Sequence, residues 1–150
     1  MDERIIVNIL YGCSCIGKST VMKKHIKKIN PIEMDDCKYW FFNEDQRTDI
    51  CINYLIEQII LNLYNPIHPT KLNMVVTCGS LPPPNHEIYS QLEQQYSIKF
   101  MHTLILVKDI DQYKIFIKKR NKTDIMDTLL EQYESIKSTQ DLYDEIIYNY

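Results

Sequence analysis

Eight consecutive residues, Gly12-Cys13-Ser14-Cys15-Ile16-Gly17-Lys18-Ser19, satisfy the pattern G-x-x-x-x-G-K-[ST], and Thr20 follows. Ahead of them runs Ile5-Ile6-Val7-Asn8-Ile9-Leu10-Tyr11, a β-branched apolar segment that reads as a buried strand. Behind them Val21 to Lys28 reads as a helix. Strand, glycine loop and helix in this order are what a phosphate-binding loop requires. The glycines let the backbone curl, and successive N–H groups then converge on phosphate oxygens. The helix N-terminus adds unsatisfied donors and a partial positive charge. Lys18 would reach the β- and γ-phosphates, and the Ser19 hydroxyl would sit on Mg²⁺. Residues Gly12 to Thr20 are therefore the candidate nucleotide-binding set. The chain has only three glycines, and the motif uses two of them. The bland alternative is a strand-to-helix turn that binds nothing.

The chain's 150 residues are a single-domain length, with 45% apolar residues and a formal charge of −3. That charge provides no broad basic field, which disfavours non-specific nucleic-acid binding and leaves a local basic groove open. No run of about 18 apolar residues appears, so no membrane span is expected. The charged start Met1-Asp2-Glu3-Arg4 enters a strand at once and leaves no room for a signal peptide, so the expected location is cytoplasmic. Five cysteines at 13, 15, 37, 51 and 78 match no zinc pattern and read as reduced thiols. Cys13 and Cys15 lie beside a helix N-terminus and Lys18, both of which lower a thiol pKa, so reactive loop thiols are expected.

Downstream, Asn30-Pro31 ends the first helix, and Ile32-Glu33-Met34 forms a very short strand before Asp35-Asp36. Apolar residues at 52, 55, 56, 59, 60 and 63 predict a helix over 49–63. Residues 73–78 read as a strand stopping at Gly79, and Asn85 is the expected cap of a helix running to Tyr96. A strand over 99–107, a helix over 110–119 and a helix over 124–137 capped by Thr123 follow. Residues 144–149 read as a fifth strand, with a terminal helix as the alternative. Strands alternating with helices imply a three-layer α/β/α sandwich on a parallel sheet of four to five strands. Ligands of such sheets bind at the carboxyl ends of the strands. The phosphate loop, Asp35-Asp36, the Gly79 turn and the Asp109 to Asp111 corner therefore share one rim.

A carboxylate of the pair Asp35-Asp36 would accept a proton from an attacking hydroxyl, or orient it, while another oxygen helps hold hydrated Mg²⁺. The alternative is a solvated acidic pair. Arg47 would grip an acceptor phosphate or carboxylate, or pair with Glu44 or Asp45 at the surface. Tyr39, Trp40 and Phe41 are either a core cluster or a stack for a nucleobase. Lys118-Lys119-Arg120-Asn121-Lys122 would close over a transferring phosphoryl group, or simply complement a helix dipole. The four histidines show no ligand spacing.

With the loop, the acidic pair and the K-R-N segment taken together, the chain resembles the small P-loop kinases, most nearly the polynucleotide 5′-hydroxyl-kinase-like group. The resemblance spans about residues 5–137. It implies the P-loop kinase fold with strand order 2-3-1-4-5, Asp35 as the acceptor-activating residue, Lys18 and Ser19 on phosphates and metal, and Arg120 in a lid or against the base. The expected activity is transfer of the γ-phosphoryl of ATP, as the Mg²⁺ complex, to a nucleoside, nucleotide, nucleic-acid 5′ end or other small acceptor, without a membrane partner. An NTPase and a non-catalytic nucleotide-binding module are the alternatives. No acidic residue ends the third strand, which closes on Thr77-Cys78-Gly79.

Overall fold

The structure is a computed structural model that describes residues 4–25, 30–34, 43–65, 73–77 and 81–149. Five strands, β1 (Ile5–Tyr11), β2 (Asn30–Glu33), β3 (Met74–Thr77), β4 (Ile98–Val107) and β5 (Glu145–Asn149), form one sheet in the order β2-β3-β1-β4-β5. Every pairing is parallel. Helices α1 (Lys18–His25), α2 (Glu44–Tyr64), α3 (Glu87–Gln95), α4 (Ile110–Lys119) and α5 (Met126–Lys137) join them. Connections between parallel strands of one sheet are right-handed as a rule, so the leftward step from β1 to β2 and the rightward steps that follow cover opposite faces. The result is the three-layer α/β/α sandwich expected from the alternation of elements.

The central strands are apolar because both their faces are covered. All four residues of β3 are buried, as are the last six of β4. Val7, Ile9, Leu10, Leu104, Ile105 and Leu106 have no exposed surface. One polar pair crosses this region: Thr103 Oγ1 donates to Asn8 Oδ1 at 2.9 Å, so neither group is buried without a partner. Strand β5 covers only the second half of β4, from Thr103 to Val107. Over the first half two carboxylates stand in for a neighbouring strand: Phe100 N donates to Glu93 Oε2 and His102 N to Asp144 Oδ2, each at 2.8 Å.

Several boundaries differ from the sequence reading for physical reasons. Helix α2 begins at Glu44, not 49, because Asn43 caps it by accepting from Gln46 N at 3.1 Å. Its first turn is polar, so hydrophobic periodicity does not register it. Helix α3 is capped by His86, whose Nδ1 accepts from Ile88 N at 3.1 Å, and not by Asn85. Thr123 caps nothing with its side chain; it opens a 3₁₀ turn, Thr123–Ile125, that leads into α5. Strand β2 already includes Asn30 and Pro31 and ends at Glu33. The terminal segment forms the strand β5, not a helix. Asp35, Asp36, Tyr39, Trp40, Phe41, Cys78 and Gly79 lie outside the described residues.

Candidate functional site

All five strands run the same way, so their carboxyl ends share one rim, and the loop 12–17 leaves that rim from β1 at the middle of the sheet. Two residues of this loop have left-handed backbones: Cys15 at φ +67° and Gly17 at φ +93°. Reversal of φ along consecutive residues turns neighbouring N–H groups to the same side and forms an anion-binding concavity. At Gly12 a Cβ would lie 2.7 Å from Ile16 Cγ2, so the loop folds tightly over its own glycine. At Gly17 a Cβ would overlap the amide of Asn149. Helix α1 begins at once, with Val21 N bonded to Gly17 O at 2.9 Å, and presents its N-terminus to the loop.

The Lys18 ammonium lies against the loop, donating to Gly12 O at 2.8 Å and Cys13 O at 3.3 Å. Two further side chains hold the loop from outside. Tyr113, fully buried in α4, donates from its hydroxyl to Ser14 O at 2.7 Å. Asn149, at the end of β5, donates from Nδ2 to Ile16 O at 2.9 Å. The backbone of Ser19 continues α1 and Thr20 is exposed on the next position.

A cleft opens beside the loop. It is lined by Cys15, Gly17, Thr20 and Asn149, and by Phe116, Lys119 and Arg120 at the end of α4. Arg120 is the C-cap of α4 and is exposed, and Asn121 turns the chain with φ +56°. The structure thus brings the loop residues Cys15, Gly17 and Thr20 together with Arg120 from the K-R-N segment. It does not bring Arg47 to this cleft. Arg47 is half-buried in the first turn of α2, the helix that packs on the edge strand β2, at the other side of the sheet. Asp109 caps α4 by accepting from Asp111 N at 3.0 Å, and Asp111 faces Lys114 at 3.9 Å. Among the described residues no three His, Cys, Asp or Glu side chains are grouped to hold a metal ion.

The loop thiols depart from expectation at Cys13. Burial pushes its thiol up to about 11, against the opposing pull of Lys18 and the Tyr113 hydroxyl. Desolvation of the thiolate outweighs the cation, so Cys13 is an inert core thiol and not a nucleophile at neutral pH. Burial likewise raises the Tyr113 phenol, with the neighbouring Cys13 thiol adding to the effect.

Beneath the loop's entry, on the α3 side of the sheet, Tyr11 OH meets Tyr89 OH and His102 Nδ1, each at 2.9 Å, and Tyr89 OH donates to Pro82 O at 2.8 Å. Burial lowers the His102 pKa, while Asp144 and Glu93 pull it back toward its ordinary value. This histidine is part of the packing that supports β1 and does not line the cleft.

Sequence reasoning singled out the loop and Arg120 but passed over Tyr113, Phe116 and Asn149. A signal existed for two of them. Tyr113 sits on the inner stripe of α4 with Ile110 and Ile117, where a phenol needs a polar partner. Asn149 follows the run Ile146-Ile147-Tyr148 and ends the strand at the carboxyl rim of the sheet.

No family model and no curated protein matches this chain. Among solved structures the fold is similar to a chain from the PezAT chromosomal toxin-antitoxin system of Streptococcus pneumoniae. The TM-score is 0.50 at 16% identity, over 83% of this chain and 55% of that one. It is also similar to an uncharacterized protein from Eubacterium ventriosum, at TM-score 0.49 and 17% identity, over 98% of this chain and 89% of that one. This chain spans 55% of the length of the first of these proteins. At 16% identity that likeness is one of fold. No helix among the described residues is long and apolar enough to cross a membrane.

Proposed function

We propose that this chain is a phosphotransferase that takes the γ-phosphoryl of a nucleoside triphosphate, ATP in the first instance, to a small acceptor. One observation carries the reading. The G-x-x-x-x-G-K-S loop has left-handed backbone at Cys15 and Gly17 and runs directly into the N-terminus of α1, with the Lys18 ammonium against its carbonyls. A concave row of amides, a helix N-terminus and a lysine are the groups a triphosphate requires. Arg120 and Lys119 line the same cleft as Gly17 and Thr20, where cations offset charge on a phosphoryl group in transfer. Phe116 offers an apolar wall beside them for the flat face of a base. Mg²⁺ would supply charge neutralisation between the phosphates, with Ser19 as the protein hydroxyl near it. Asp35 would orient the acceptor, a role assigned to it by sequence position and family resemblance alone.

The acceptor class is that of the P-loop kinases the sequence resembles: a nucleoside, a nucleotide or a nucleic-acid 5′ end. In this reading catalysis is positioning and electrostatics, with no covalent chemistry by the protein. The test is calorimetric titration of MgATP into wild type and Lys18→Ala, with a γ-labelled transfer screen over those acceptors. Loss of the ammonium should weaken ATP binding at least about tenfold, the cost of a charged hydrogen bond. Unchanged affinity in Lys18→Ala overturns the proposal. Hydrolysis at the same rate with and without every acceptor would assign an NTPase instead.

A further inference from the structure

We infer that Asn149 and Tyr113 are positioning residues that set the direction of the phosphate loop's peptide groups; the inference rests on the triphosphate-binding reading above. A trans peptide is planar, with its N–H and C=O pointing opposite ways. Whatever holds a carbonyl therefore aims the N–H of the following residue. Tyr113 OH holds Ser14 O at 2.7 Å and so directs the Cys15 N–H away from α4. Asn149 Nδ2 holds Ile16 O at 2.9 Å and so directs the Gly17 N–H away from β5. The directed amides belong to the two loop residues with left-handed φ. Both braces are buried. Tyr113 has no exposed surface and Asn149 only 8%. The Ile16 carbonyl can only accept, so the nitrogen end of the Asn149 amide must face it.

Both braces come from the part of the chain that follows the loop by about a hundred residues or more: 99 positions for Tyr113 and 133 for Asn149. The loop's shape is thus set by the register of β5 on β4, in which Val107 lies opposite Asn149. In this arrangement the edge strand β5 contributes to the anion site as directly as β1 does.

The test compares wild type, Asn149→Ala and Tyr113→Phe by calorimetry with two probes, ATP and inorganic tripolyphosphate, well below each variant's Tm. Tyr113→Phe keeps the ring in the core, so it remains informative where Asn149→Ala folds poorly. The expected result is an affinity loss of about fivefold per brace, equal for the two probes, because the amides meet phosphate in both. A loss with ATP but not tripolyphosphate would make Asn149 a nucleoside contact and overturn the inference. Unchanged affinity for both probes, with only Tm lowered, would reduce the braces to packing and also overturn it. Wild type that binds neither probe removes the triphosphate-binding reading itself, and this inference with it.

Discussion

Replacing Gly17 with alanine combines two costs that the structure separates. The first is conformational: φ at +93° is a backbone that L-residues rarely adopt, at about 1–3 kcal/mol. The second is steric: the new methyl overlaps the Asn149 amide, which must leave Ile16 O. A buried carbonyl stripped of its donor costs about 1–3 kcal/mol more. Together Gly17→Ala should destabilise the fold by about 2–6 kcal/mol. For a chain of this length each kcal/mol moves Tm by about 2–4 °C, so a fall of about 8–16 °C is expected for the middle of that range. Urea denaturation of Gly17→Ala, Asn149→Ala and the double variant measures the two parts. With Asn149 already truncated the collision is gone, so Gly17→Ala should then cost at least about 1 kcal/mol less. The reasoning fails if Gly17→Ala costs under about 1 kcal/mol. It also fails if the cost is the same in both backgrounds.

Two further expectations concern pH. His102 is held neutral by burial, its folded pKa below the ordinary 6.5, so the unfolded chain binds the extra proton first as pH falls. Stability from this site is present above pH 6.5 and is lost as pH drops through the lowered folded value, with a slope of at most about 1.4 kcal/mol per pH unit. Urea midpoints from pH 5 to 8 should fall toward acid in wild type and fall less in His102→Phe; parallel profiles would refute the assignment. Cys13 works in the opposite direction. Its thiol is pushed up from 9.0 to about 11, so its contribution is complete below pH 9 and disappears as pH rises through about 11. Wild type should lose stability over that window and Cys13→Ala should lose less, and equal slopes in the two proteins would remove burial as the cause.

Local chemistry made much of this protein legible in its sequence. The G-x-x-x-x-G-K-S run between a β-branched strand and a helix specifies a loop whose glycines and lysine act on near neighbours, and Gly12, Gly17 and Lys18 do so. The apolar runs in β3 and β4 identify strands covered on both faces, as the strands of a parallel sheet are. Where a cap came from a side chain that ordinary preference ranks low, as with His86, or from a residue ahead of a polar first turn, as with Asn43, the boundary shifted.

The bracing of the loop depended on tertiary structure. Ser14 and Ile16 offer carbonyls to any donor, and nothing near them in sequence shows that Tyr113 and Asn149 will answer. Those bonds exist only once α4 has packed and β5 has paired with β4 in one register, because a one-residue slip would turn Asn149 to the opposite face of the sheet. Burial reversed the expected behaviour of Cys13 for the same reason: the helix and Lys18 beside it are local, but the desolvation that outweighs them is set by everything packed around the loop.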